Sequence, residues 1–177
     1  KHPDNTLIVV CADHETGGLS LGNRKLAYDS KLSLLKHQII SIDSLASVCD
    51  NYLRVKIEQV SYHDISDSLK KYLGFENGKI QLSDDEKELL QKTFVQSFKI
   101  KNDYAEVYKF AETAITILNH KAGITWGTSS HTFQPTVVFA SGVGADNFAG
   151  FYDNTDIPRR IASIMGLNHL FEIQTKK

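Results

Sequence analysis

The residues best suited to chemistry stand together at positions 13–15. Asp13, His14 and Glu15 follow an apolar run, Leu7 to Cys11, and precede the pair Gly17-Gly18 in the stretch TLIVVCADHETGG. A carboxylate and an imidazole are both zinc ligands, reaching the ion at about 2.0–2.2 Å. The apolar run reads as a strand buried on both faces in a parallel sheet. The carboxyl end of such a strand is where α/β sheets place their sites. The glycine pair frees the backbone to turn away and leave room for another group. A plain loop start, with Asp13 capping a turn and His14 in solvent, is the commoner fate of a polar pair after a strand, and spacing alone leaves that reading ahead.

The other candidates are weaker. His131 lies in GITWGTSSHTFQP, a loop of small and hydroxyl residues, where a lone histidine carries no signal of its own. His37 has no ligand-type neighbour, His120 falls in the last turn of a helical pattern where a cation suits the helix dipole, and His169 lies past a helix stop. The chain has 2 cysteines. Cys11 belongs to the strand and Cys49 to an apolar helical face, so both read as small core hydrophobes rather than a bridge or a metal pair. The loop GFENGKIQLSDDE lies between two helical patterns, but lacks the alternating acidic ligands and the central glycine of a calcium-binding loop.

Elements that must position these residues are legible from periodicity and caps. LSLGNRK continues briefly as a strand and breaks at Gly22-Asn23. Tyr28 to Ile40 has no clean period, and a short strand is expected near Leu34 to His37. Ser41 caps a helix with Leu45, Val48, Cys49 and Leu53 on its apolar face. DISDSLKKYLGF places Ile65, Leu69, Tyr72 and Leu73 on one face, and Gly74 stops it. Asn77-Gly78 marks a tight turn, with KIQL extended after it. Ser83 with Glu86 is a capping box for a helix facing inward with Leu89, Leu90, Phe94 and Phe98. Asp103 with Glu106 is another, opening the most regular helix of the chain, with Val107, Phe110, Ala111, Ala114, Ile117 and Leu118 buried and Gly123 at its end. Pro135 leads into the strand TVVFA. Thr155 is the expected N-cap of a last helix with Pro158 in its first turn, burying Ile161, Ile164 and Met165 and stopping at Gly166.

Two segments carry a resemblance. ADHETGGLSL resembles the metal-binding segment of alkaline phosphatases, where an Asp-His pair after a core strand holds one of two catalytic zinc ions. HTFQPTVVFASGVGADNFAGFYDNTDIPRRIASIMGL, His131 to Leu167, resembles the C-terminal segment of the same family, whose first histidine binds the other zinc. The implied fold is α/β, part of the family's three-layer α/β/α sandwich. Residues 1–54 and 103–177 would form the C-terminal portion of the α/β domain, and residues 55–102 a small helical insertion. The implied activity is hydrolysis of phosphate monoesters through a phosphoserine, at two zinc ions about 3.5–4 Å apart that clamp an in-line displacement. A magnesium ion and an arginine would complete the charge neutralisation. Carried over by position, Asp13 and His14 bind the zinc that activates the serine, and His131 binds the other. Glu15 receives no role.

The departures are as definite. The family's nucleophile lies in an Asp-Ser-Ala segment, and the Asp-Ser pairs here, Asp29-Ser30, Asp43-Ser44 and Asp67-Ser68, are each followed by Lys or Leu. The magnesium carboxylates, the phosphate-binding arginine and an Asp-x-x-x-His pair that would complete the His131 site also lack counterparts. In the family all of these precede the Asp-His pair, so the chain reads as the C-terminal part of a longer enzyme, inactive and weakly zinc-binding alone.

Bulk properties exclude more than they assign. With 177 residues, 41% hydrophobic, 23% charged and a net charge of −1, the composition is that of a globular domain of ordinary size. The charge balance gives no field for nucleic acid, and no apolar stretch approaches the roughly 20 residues that span a bilayer. KHPDN is not a signal peptide. A periplasmic or secreted location rests on the resemblance alone. Homodimer formation, with the insertion as a candidate contact or substrate gate, stays open. So do two other classes: a phosphodiesterase or phosphomutase-like enzyme of the same superfamily, and a non-catalytic module for assembly or metal scavenging.

Overall fold

The computed structural model describes residues 2–24, 26, 29–56 and 59–171. Lys1, Lys25 and Tyr28, which open or lie within segments read from the sequence, fall outside them. The chain divides into two compact units, Lys1–Gly18 with Thr128–Lys177, and Leu19–Gly127.

The Leu19–Gly127 unit is helical, with one small ladder. Strand β2 (Ser20–Leu21) is followed by α1 (Ile42–Lys56), α2 (Tyr62–Leu73), α3 (Asp84–Phe94) and α4 (Tyr104–Ala122), and then by β3 (Ile124–Thr125), which pairs antiparallel with β2. Each helix starts as its cap residues dictate. Ser61 and Ser83 make reciprocal capping boxes with Asp64 and Glu86. Asp103 takes the Glu106 amide at 2.9 Å. Glu106, expected to complete that box, instead pairs its carboxylate with Lys109 at 2.7 Å. α2 and α4 end on Gly74 and Gly123 in the left-handed conformation.

The helices enclose one core. Val107, Phe110, Ala111, Ala114, Ile117 and Leu118 of α4 are all buried, against Leu45 and Cys49 of α1, Ile65 and Leu69 of α2, and Leu90 of α3. Phe94, Phe98 and Phe110 form an aromatic cluster, Phe98 standing edge-on to Phe110 with centroids 5.4 Å apart. A π-helical stretch, Val95–Lys101, continues α3. The α2–α3 segment, expected as an insertion, contributes to this same core. Two expectations are corrected. Leu89 is exposed, one position off the buried stripe that Leu90 and Phe94 form. Leu32–His37 is a 3-10 helix rather than a strand near Leu34. Its LSLLKH run has none of the β-branched residues that favour extension, and the Leu34 amide closes on the Lys31 carbonyl at 2.9 Å.

In the other unit, β1 (Leu7–Cys11) pairs with β4 (Val138–Gly142), from Leu7 opposite Gly142 to Cys11 opposite Val138. This ladder is antiparallel, which corrects the parallel reading. It also corrects the burial: among the described residues β1 has one neighbour, and Ile8 and Val10 are each 57% exposed. Cys11 is exposed as well, whereas Cys49 is buried as expected. A two-stranded ladder has too little width to cover its own faces.

After β4 the chain makes a 3-10 turn, Ala145–Phe148, and then α5 (Asp156–Ile164). The Arg160 guanidinium lies 3.6 Å over the Tyr152 ring and donates to the carbonyl of Asn147. Thr155 does not cap α5 with its side chain. Its backbone is already helical, and Asp153 takes both its amide (2.9 Å) and its hydroxyl (2.7 Å). Ala162 is the buried residue of the helix, Ile161 and Ile164 are half-buried, and Met165, past its end, is 65% exposed.

Candidate metal site

The antiparallel register creates the site. Cys11, the last residue of β1, faces Val138, the first of β4. The loop leaving β1 and the loop entering β4 therefore emerge at the same end of the ladder, and with them Asp13, His14 and His131. Gly17 and Gly18, at φ 70° and 62°, take a conformation that side chains with a Cβ resist. In it the Gly17 amide donates to the Ser130 carbonyl (3.0 Å) and its carbonyl accepts from the Thr128 amide (3.2 Å).

The structure brings the three expected residues together. The His14 and His131 rings stack, with centroids 3.5 Å apart and planes 28° from parallel. Asp13 Oδ1 accepts from the His14 amide at 3.0 Å, and Asp13 Oδ2 lies 3.3 Å from His14 Nε2. On the other edge of the ring, His14 Nδ1 is 2.8 Å from the Glu15 carbonyl oxygen. A carbonyl can only accept, so Nδ1 carries the hydrogen and neutral His14 presents its lone pair at Nε2. A backbone carbonyl commonly fixes the tautomer of a metal-binding histidine in this way.

Two acceptors, Nε2 and a carboxylate oxygen, then face each other at 3.3 Å. Only a proton or a cation between them makes that arrangement favourable. Two donors about 2.0–2.1 Å from a tetrahedral zinc stand about 3.3 Å apart, so the pair fits the ion. His131 meets His14 face to face. Nitrogen lone pairs lie in the ring planes, so the two nearly parallel rings do not converge on one ion. Among the described residues no three His, Cys, Asp or Glu side chains are grouped closely enough to hold a metal together.

Glu15, to which the sequence reading gave no role, is the most connected side chain here. One carboxylate oxygen accepts from the Gly18 amide. The other accepts from the Thr132 amide at 2.8 Å and from the Thr132 hydroxyl. The Thr132 hydroxyl is the main influence holding the Glu15 carboxyl below its usual 4.5. Partial burial opposes it, and the Gly18 and Thr132 amides and nearby His131 reinforce it. The sequence signal was positional: Glu15 follows His14 and Thr132 follows His131. The other histidines have other surroundings. His37 packs against Gly74, the His120 carbonyl accepts from Asn23 at 2.7 Å, and His169 is exposed.

A carboxylate and two imidazoles on adjoining loops at a strand end are the donor types of a metal-dependent enzyme. The family model for alkaline phosphatase matches residues 1–167. Alkaline phosphatase 3 of Bacillus subtilis (strain 168) is 27% identical over 168 residues, 95% of this chain and 32% of that protein. The crystal structure of a cold-active alkaline phosphatase from the psychrophile Shewanella sp. superposes with a TM-score of 0.64 at 29% identity, over 94% of this chain and 35% of that one. The chain belongs to the alkaline phosphatase family and has its α/β fold. It spans about a third of the length of these two relatives.

Proposed function

We propose that these residues form part of a phosphomonoesterase site with two zinc ions, Asp13 and His14 holding one and His131 the other. The observation that carries this reading is the facing pair of acceptors, Asp13 Oδ2 and His14 Nε2, with the His14 proton committed to the Glu15 carbonyl on the far side. Zinc bound there supplies Lewis acidity to the oxygens entering and leaving phosphorus. The stacked imidazoles suit two neighbouring ions rather than one. No residue of this chain is assigned to magnesium, and residues 55–102 are an insertion relative to the family's α/β domain.

By themselves the 177 residues do not hydrolyse phosphate esters. None of the Asp-Ser serines is placed as a nucleophile: Ser44 lies in α1 bonded to Ser41, Ser68 is buried against Tyr52, and Ser30 packs beside Gly123. Two protein ligands for one ion and one for the other also fall short of the three or four of a working site. Alkaline phosphatases are typically secreted or periplasmic, and that location is proposed for this protein.

A zinc-supplemented assay with a chromogenic phosphate monoester tests the reading. No turnover is expected from the 177-residue chain. Turnover is expected from any longer natural product carrying these residues, lost on Asp13→Ala or His131→Ala. Robust zinc-dependent turnover by the 177 residues alone would overturn it.

A further inference from the structure

We infer that Glu15 is a positioning residue, a latch that sets the spacing of the two histidines by joining the position after His14, its own, to Thr132, the position after His131; its value to metal binding rests on the zinc reading above. Its own backbone follows His14, and its carboxylate takes the amide and hydroxyl of Thr132, which follows His131. The other oxygen takes the Gly18 amide and so closes the β1 loop on itself. The Gly17 links to Ser130 and Thr128 also tie the loops together. Among the described residues, only the Glu15–Thr132 pair joins the positions directly following both histidines. Ring separation of 3.5 Å between His14 and His131 is therefore set from this point.

The chemistry requires a carboxylate. Three donors converge on its two oxygens, so each oxygen must accept. A glutamine has the same size, but its –NH2 end can only donate. One of the two backbone amides, Gly18 or Thr132, would then meet a donor instead of an acceptor. An aspartate is one methylene too short to reach both loops from the same backbone.

The test compares wild type, E15Q, T132V and T132S in the metal-free protein with labelled histidine, reading the nuclear Overhauser effect between the two rings and their mutual ring-current shift. Zinc alone is then titrated against a chromophoric chelator. Wild type and T132S, which keeps the hydroxyl, are expected to show the stacked rings. E15Q is expected to show them apart with far-UV circular dichroism unchanged, and T132V to show a weaker Overhauser effect. Zinc affinity is expected to fall by about 10- to 100-fold in E15Q, the usual effect of removing a group that orients a ligand. Rings that stay stacked in E15Q, with zinc affinity unchanged, overturn the latch and leave the metal reading standing. Rings that separate in E15Q, while zinc binds E15Q and wild type alike, uphold the grip on the rings and overturn its bearing on metal binding. If E15Q fails to fold, T132V against T132S decides alone: an equal Overhauser effect in the two overturns the latch, and a weaker one in T132V supports it.

Discussion

Replacing Glu86 is expected to show how the helical unit is fastened. Its carboxylate does two things. It accepts the Ser83 amide at 2.8 Å, completing the box that starts α3, and it meets Lys121 of α4 at 2.7 Å, with only 17% and 20% of the two side chains exposed. Glu86→Ala removes a charge-assisted hydrogen bond, about 1.5–3 kcal/mol, and half of a capping box, together about 2–4 kcal/mol. Glu86→Gln keeps an acceptor for Ser83 and loses the charge, for about 1–2 kcal/mol. Urea unfolding followed by circular dichroism and by Trp126 fluorescence should move the Glu86→Ala midpoint down by about 1–2 M at an m-value near 2 kcal/mol/M. The pH dependence has a definite sign. Burial raises the Glu86 carboxyl, but Lys121 and the amide and hydroxyl of Ser83 outweigh it and hold the group below its usual 4.5. A depressed carboxyl stabilises the fold above its unfolded value, and that contribution is lost as pH falls through the folded value. The stability gap between wild type and Glu86→Gln should therefore be constant above pH 4.5 and close progressively below it. A variant as stable as wild type at pH 7, or a gap that does not narrow as pH falls below 4.5, would refute the reasoning.

Further outcomes follow from single residues. Gly142 is at φ 97°, where an added Cβ would run into the Thr6 carbonyl that accepts from the Val143 amide at 3.1 Å. Gly142→Ala should destabilise by at least about 2 kcal/mol. Gly150→Ala, at φ 102° with nothing within 4 Å, should lose only the backbone part, and thermal unfolding of the two compares them. A thiol reagent should modify exposed Cys11 in the native protein and reach Cys49 only on unfolding, because burial excludes the reagent and pushes that thiol up to about 12. One equivalent before denaturant and two after, by mass, is the expected count.

What could be read from sequence, and what could not, divides along sequence distance. The α4 stripe from Val107 to Leu118 and the Ser83–Glu86 box are patterns within a few residues, and both are as expected. Pairing of Glu86 with Lys121, and of Glu15 with Thr132 across 117 positions, has no local mark. The TLIVVC run is legible as a strand but not in its surroundings: its residues are written for burial, yet the ladder these 177 residues form leaves Ile8, Val10 and Phe139 exposed. Leu34 misleads because apolar side chains at short spacing serve a 3-10 turn as well as a strand. At Thr155 the local pattern of a hydroxyl before Asp-Ile-Pro points to a cap, but Asp153, two residues earlier, captures that hydroxyl. For the site, the resemblance points to Asp13, His14 and His131, and the β1–β4 register is what places them at one end of a ladder.

The most direct test of the central claim is anomalous diffraction at the zinc edge from crystals of the protein grown with zinc. A peak within about 2.0–2.2 Å of both Asp13 Oδ2 and His14 Nε2, with a second ion on a His131 nitrogen, is the expected result. Zinc at saturating concentration that leaves Asp13 and His14 joined only by a proton would contradict it.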